Sequence, residues 1–232
     1  MMIVATSDTH SKHERLTLPP GDVFVHAGDS NMFNKDTAED FIKWVGSLAY
    51  EHKIIIAGNH DWEAERNPAL IEKLCKDNGV IYLNDSGCEI DGVKFWGSPV
   101  TPIFYDWAFM RSRSYSEFVH TGFKYPLIKE HWDKIPRDID VLITHGPPYD
   151  ILDVNFEGGR CGDVELRKAI EEIKPRVHIF GHIHECGGEM ERIDDTFFYN
   201  VTFLGKVKKR GNQYELLFND VQTIPVDIPD IK

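Results

Sequence analysis

Five short polar clusters recur along the chain in a fixed order: Asp8-Thr9-His10, Gly28-Asp29, Gly58-Asn59-His60-Asp61, His145-Gly146-Pro147-Pro148 and Gly181-His182-Ile183-His184. Together they supply carboxylate, amide and imidazole donors enough for two metal ions. Two adjacent ions at strand ends make a device for cleaving phosphate esters. Asp8 and His10 are two residues apart, so on an extended segment both project from one side. Taken singly, Asp-x-His or Gly-Asp at a strand end reads more readily as a turn or a cap. Gly58-Asn59-His60-Asp61 carries more. Asn59 offers a neutral carbonyl oxygen, His60 can carry a proton, and Asp61 is expected to fix the His60 tautomer and raise its pKa. The alternative is a loop that caps the segment after it. His182 and His184 place two imidazoles on one side of a short extended segment. His26 and His178, each alone in an apolar run, read as packed core histidines.

Each cluster follows an apolar run that must deliver it. Residues 3–6, 23–27, 53–57, 140–144 and 177–180 read as strands that are apolar throughout, which suggests burial on both faces. Helices are expected over 37–48, with Phe41, Trp44, Val45 and Leu48 on one face, and from Pro68 to about residue 77, with Gly79 just past the end. Further helices are expected over 124–134 and 164–173. Asp91-Gly92 between 87–90 and 93–96 is a strong hairpin signal. The alternation of strand and helix suggests an α/β sandwich, with ligands at the carboxyl ends of the strands. Residues 98–124 break the rhythm and suggest a long functional loop or lid, whose Phe104, Tyr105, Trp107 and Phe109 either line a base-binding pocket or pack the loop onto the body. The segment 155–163 reads as a Gly-rich loop. Arg160 within it, with Arg111 and Arg113, is a candidate for gripping a phosphate. The tail reads as strands over 196–203 and 213–218, a basic turn over 206–211, and a surface stretch over 224–232.

The chain has 232 residues, 41% hydrophobic, with a net charge of -12. That size fits a single domain over 1–232, because clusters spread from residue 8 to 184 must converge. The acidity argues against an extended nucleic-acid surface, which needs clustered Lys and Arg, but not against a small phosphorylated substrate, since bound divalent ions make a site locally positive. No apolar run approaches the ~20 residues of a membrane helix, so no membrane partner is expected. The start enters a strand at once without a basic leader, so no signal peptide is expected. Cys75, Cys88, Cys161 and Cys186 form no CxxC pair and read as reduced thiols of a cytoplasmic protein. Either the tail or the 98–124 loop can serve a homodimer contact.

The set of clusters, in this order and each after a buried strand, resembles the calcineurin-like metallophosphoesterase superfamily over about residues 1–205. The segments 144–148, 158–163 and 181–185 further resemble its branch of metallophosphoesterase-domain-containing proteins. The resemblance implies a four-layer α/β/β/α sandwich with two mixed sheets. It implies that Asp8, His10 and His184 hold one metal, that Asn59, His145 and His182 hold a second, and that Asp29 bridges both. His60 would stabilise the transition state or protonate the leaving oxygen, and Asp61 would orient it. The implied reaction is in-line attack by a hydroxide held between the two ions, with Mn²⁺ first and Fe²⁺, Zn²⁺, Ni²⁺ or Co²⁺ as alternatives for mixed oxygen and nitrogen donors. The family's protein phosphatases carry an Arg shortly after the bridging Asp. Here Ser30-Asn31-Met32-Phe33-Asn34 follows instead, which removes a phosphate clamp and argues against a protein phosphatase, while the resemblance to that branch implies a phosphodiesterase of small diesters, cyclic nucleotides among them. The rivals are a phosphomonoesterase or pyrophosphohydrolase with the same metals, and a non-catalytic scaffold.

Overall fold

Alternation along each apolar strand sets the architecture. In the computed structural model, which describes residues 1–210 and 213–226, Ile3 and Ala5 of β1 (Met2–Thr6) face one way while Val4 faces the other. The same split recurs in β2 (Val23–Ala27) and β3 (His52–Ile56), and in β9 (Val141–Thr144) and β10 (Val177–Phe180). Both faces are buried, so an unbroken apolar run is what each strand needs.

The remaining strands are β4 (Ile81–Tyr82), β5 (Ser86–Ile90), β6 (Val93–Ser98), β7 (Thr101–Pro102), β8 (Met110–Arg111), β11 (Met190–Ile193), β12 (Thr196–Asn200), β13 (Leu204–Arg210), β14 (Gln213–Phe218) and β15 (Gln222–Pro225). One sheet runs β15-β1-β2-β3-β4 and the other β11-β12-β10-β9-β6-β5. Each is parallel at its centre and antiparallel at an edge, through β15 on β1 and through β5 on β6 and β11 on β12. The inward residues of both sheets, among them Ile56, Phe95 and Ile143, share one core between the sheets. The outward face of the first sheet packs on α1 (Lys35–Ser47), α2 (Trp62–Arg66) and α3 (Pro68–Asp77). That of the second packs on α5 (Lys129–Trp132) and α6 (Val164–Ile173). These are the four layers of an α/β/β/α sandwich.

Local chemistry sets the element ends. Asn34 and Thr37 form a reciprocal capping box on α1, Pro68 opens α3, and the Asp163 carboxylate accepts from Leu166 N–H at the start of α6. Asp91 and Gly92 take φ of 51° and 78°, as a two-residue hairpin turn requires.

Four expectations are corrected. The helix over 124–134 shrinks to Lys129–Trp132, because residues 126–128 are drawn into a bridge by Ser112 N–H donating to Pro126 O and Ile128 N–H to Ser112 O. The loop over 98–124 contains β7, β8 and α4 (Tyr115–His120). Residues 206–210 continue β13 rather than turning, and 211–212 lie outside the described residues. Residues 224 and 225 do not drape over the surface. They pair with β1, Ile224 opposite Ile3, and Ile224 is fully buried. The expectation for 227–232 lies outside the described residues. Among the described residues, no helix is long and apolar enough to cross a membrane.

His26 and His178 are wholly buried, and burial pushes both down from 6.5 to about 3. A depressed imidazole stabilises the fold above its unfolded pKa, and that stability is lost as pH falls from about 6.5 toward 3, because only the unfolded chain takes the proton. By pH 5 each has cost the fold about 2 kcal/mol of that stability. In urea unfolding of the metal-free chain, moving from pH 7 to 5 should therefore cost a His178→Phe variant about 2 kcal/mol less than the wild type. Equal losses would contradict a neutral buried His178.

Candidate metal centre

The first ligand turn leaves β1 in an unusual backbone. Asp8, His10 and Ser11 have φ of 51°, 41° and 61°, and the next turn has Asp29 at 60°. The turns lie side by side because Asp8 N–H donates to Gly28 O and His10 N–H to Asp29 O. Left-handed residues other than glycine carry strain that the surrounding structure must impose, and such strain gathers at functional sites. His182, with φ of 71°, arrives from the second sheet and donates its N–H to Asp8 Oδ2. The glycines preceding the ligands have a steric reason. A Cβ on Gly58 would lie 2.4 Å from Asp29 Oδ1, and one on Gly181 would lie 2.2 Å from Asp8 Oδ2. The ligand side chains occupy the space a larger residue would need.

Asp8 divides its two oxygens. Oδ2 accepts from Ser7 Oγ, Thr202 Oγ1 and His182 N–H, whereas Oδ1 is buried without a hydrogen-bond partner, 3.5 Å from His184 Nε2. Burial opposes charge on Asp8, yet the neighbouring His184 imidazole, with His145 and His10, holds its carboxyl well below the usual range. Asp29 also divides its oxygens: Oδ1 accepts from His60 N–H and lies 3.3 Å from His145 Nε2, while Oδ2 lies 3.8 Å from His10 Nε2 and 3.9 Å from His60 Nε2.

His145 is the most telling residue. Its Nδ1 lies 2.9 Å from Ala27 O, and a carbonyl only accepts, so Nδ1 carries a proton. Its Nε2 faces Asn59 Oδ1 at 2.9 Å and Asp29 Oδ1 at 3.3 Å. Three lone-pair-bearing atoms therefore converge, an arrangement that a proton on Nε2, a turned-over Asn59 amide or a metal cation reconciles. In the metal-free chain burial opposes the charge, but the Asp29 carboxylate overrides it and lifts His145 to about 9. His182 beside it is pushed down to about 3, first by burial and then by the His145 charge, which leaves a neutral imidazole free to ligate. The Asn59 amide nitrogen is buried without a partner.

Three groups of donors within 4.8 Å of one another result: Asp8, His10 and His184; His10, Asp29 and His60; and Asp29, His145 and His182. All seven sequence-predicted ligands meet at one edge of the sandwich. The donor set fits two divalent ions sharing Asp29.

Two expected roles are corrected. The Asp61 carboxylate is not aimed at the His60 ring. It accepts from the N–H groups of Gly58, Asp29, Ser30 and Met32 and from Ser30 Oγ, so it ties the Asp29 turn to the Asn59 turn. Arg160 lines the cavity, but its guanidinium is held by Asp153 (2.7 Å) and Asp150 (2.6 Å), which straps its own loop. Arg111 donates to His131 Nε2 and Met110 O, and Arg113 to Ile103 O. Sequence reading missed Ser7, Asn31 and Thr202. Ser7 and Thr202 fix Asp8 Oδ2, and Asn31 Oδ1 lies 2.9 Å from His10 Nδ1, which turns His10 Nε2 toward Asp29. Asn31 sits two residues past a candidate ligand, the one local signal that was available.

His60 rests half-buried between His10, at a ring separation of 4.9 Å, and Trp107, at 4.4 Å, and burial lowers its pKa. Trp107, Phe104 and Tyr105 wall a cavity of about 550 Å³ above the ligands, with Phe104 against His182 at 5.4 Å. The fourth aromatic of that segment, Phe109, goes to the core instead. Packing onto the body thus holds for Phe109, while the other three line the cavity.

The profile of calcineurin-like phosphoesterases matches residues 1–186. Metallophosphoesterase domain-containing protein 1 of Homo sapiens is 38% identical over 211 residues, 81% of this chain and 61% of that protein. UPF0046 protein K07C11.7 of Caenorhabditis elegans is 33% identical over 242 residues, 97% of this chain and 74% of its own length. A solved structure superposes with a TM-score of 0.58 at 14% identity, over 86% of this chain and 89% of its own, a likeness of fold alone. The chain spans about three fifths of the human relative's length. Motif order, sandwich and sequence matches agree, and the chain belongs to the calcineurin-like phosphoesterase family.

Proposed function

We propose that the protein is a divalent-metal-dependent phosphodiesterase of small phosphodiesters, cyclic nucleotides among them. The observation that carries the metal dependence is the convergence of donor atoms of Asp29, His145 and His182 within 4.8 Å of one another, with Asn59 Oδ1 2.9 Å from His145 Nε2. When bound, two divalent ions, Mn²⁺ foremost, supply Lewis acidity toward a phosphoryl oxygen and an acidified water. Asp8, His10, His184 and Asp29 would hold one, and Asn59, His145, His182 and Asp29 the other.

The chain's own groups then sort by position. Asp8 is fixed by its hydrogen bonds from Ser7, Thr202 and His182, and Asp29 by the His60 amide, so the carboxylates need no rearrangement when substrate arrives. The His60 ring borders the cavity beside those carboxylates, which supports a role in giving a proton to the leaving oxygen or meeting charge on the phosphoryl group. Phe104 and Trp107 offer apolar faces to an ester substituent and exclude water. Arg160 and Arg113, the arginines lining the cavity, are paired with Asp150 and Asp153 and with Glu117, so they bring little net positive charge for the second negative charge of a monoester. This favours the singly charged diester.

Side-by-side hydrolysis of bis-p-nitrophenyl phosphate and p-nitrophenyl phosphate, with Mn²⁺ and after chelation, tests the reading. A metal-dependent preference for the diester is expected. A preference for the monoester would replace it with a phosphatase. His60→Ala should lower turnover ~10²–10⁴-fold at unchanged metal content. Full activity of that variant on a poor leaving group would remove His60 from the chemistry.

A further inference from the structure

We propose that His26 and His178 are positioning residues of the metal centre, each clamping one ligand-bearing strand end to its neighbour through a threonine hydroxyl. The inference rests on the metal-centre reading above. Both imidazoles lie wholly buried on the helix-covered faces of the two sheets, His26 against Phe41 at a ring separation of 4.8 Å and His178 against Phe180 at 4.8 Å. Neighbouring strand positions on those faces carry Val4, Phe24, Leu142 and Phe198.

The two sites are built alike. His26 Nε2 lies 3.1 Å from Thr9 Oγ1, and His178 Nε2 lies 2.8 Å from Thr144 Oγ1. Thr9 sits between the ligands Asp8 and His10, and Thr144 immediately precedes the ligand His145. His26 is on the strand that delivers Asp29, and His178 on the strand that delivers His182. One contact therefore joins β2 to the turn after β1, and the other joins β10 to the end of β9. Each cross-links two ligand-bearing segments.

The direction of the second clamp follows from the donors. Thr144 Oγ1 lies 2.7 Å from Gly146 O, which only accepts, so the hydroxyl proton goes there. The hydroxyl must then accept from His178, whose Nε2 carries the proton and whose Nδ1 is bare. A single line of donors runs from His178 to Thr144 to the carbonyl just after His145, and it fixes that ligand's backbone. In both histidines Nδ1 is buried without a partner. A half-satisfied imidazole costs the fold something that valine or leucine would not. Its return is alignment, since a metal site tolerates only a few tenths of an ångström of error.

Calorimetric titration of the metal-free protein with Mn²⁺, beside His178→Phe and His178→Gln, tests this. Phenylalanine keeps the bulk and removes the donor, while glutamine restores an N–H. His178→Phe should weaken one of two Mn²⁺ binding events roughly tenfold or more, with kcat falling further than KM rises, and His178→Gln should recover most of the loss. His26→Phe should weaken the other event. Should His178→Phe fail to fold, Thr144→Val removes the hydroxyl at constant shape and must reproduce the effect. Nitrogen-15 spectra of the metal-free wild type should show His178 protonated at Nε2 alone. Unchanged Mn²⁺ affinities in a folded His178→Phe or Thr144→Val variant, or a proton on Nδ1, would overturn the clamp. A wild-type chain that takes up no Mn²⁺ overturns the metal centre itself, a result read separately from the behaviour of the variants.

Discussion

Asp29→Ala is expected to lower phosphoester hydrolysis by ~10³-fold or more and to leave the chain unable to hold two divalent ions at once. The side chain belongs to two of the three donor groups, with His10 and His60 through one and with His145 and His182 through the other. No neighbour can replace it: the carboxylates nearest in the chain's fold, Asp8 and Asp61, already spend their oxygens on protein donors or on His184. The metal-free fold should lose about 3–5 kcal/mol, because removing one partner of the buried Asp29–His145 pair leaves His145 uncompensated and the His60 N–H without its acceptor. Metal content by elemental analysis, beside kinetics and a melting curve in chelator, distinguishes these outcomes. Two ions per chain with near wild-type turnover would remove Asp29 from the centre.

Asp61→Ala is expected to act on the fold rather than on the chemical step. The wholly buried carboxylate accepts from four backbone N–H groups and one hydroxyl, and these donors belong to two different turns. Each buried donor left without a partner costs about 1–3 kcal/mol. The sum is about 4 kcal/mol or more, a large part of the ~5–15 kcal/mol that holds a domain together. Asp61→Asn keeps one acceptor oxygen and turns an NH₂ against the remaining amides, so about half the loss should appear. Urea unfolding in chelator measures both. A change under about 1 kcal/mol with activity gone would return Asp61 to a direct part in the reaction.

The contrast between these two aspartates shows what a sequence discloses. Asp29 was legible because its type, its place after a buried strand and its order among the clusters all constrain the same role. The strands themselves were legible because burial on both faces leaves a continuous apolar run, as in Ile54-Ile55-Ile56, and α6 because its cap, stripe and end fall within ten residues. The target of Asp61 was not legible. Its neighbour His60 is the obvious partner in one dimension, whereas its actual partners include amides 29 to 32 residues back along the chain, at Asp29, Ser30 and Met32. The tail failed for the same reason. Ile224 is buried by pairing with Ile3, and no window around residue 224 contains that strand. Arg160 had the right type in a Gly-rich loop, but Asp150 and Asp153 close around it only once that loop folds back.

The left-handed backbone at Asp8, His10, Asp29 and His182 also bears on how such a protein could change over time. At His10 and His182 a glycine removes the side chain and releases strain together, a gain on the order of 1 kcal/mol for the fold, whereas at Asp8 and Asp29 it would also leave the donors from Ser7, Thr202, His182 and His60 without an acceptor. At the two histidines abandoning the chemistry is downhill. A lineage relieved of the need to hydrolyse anything would drift toward glycine at these positions first, growing sturdier as its activity vanished. Glycine in place of one of these residues, in an otherwise intact sandwich, would be the mark of a relative that has kept the architecture and retired the reaction.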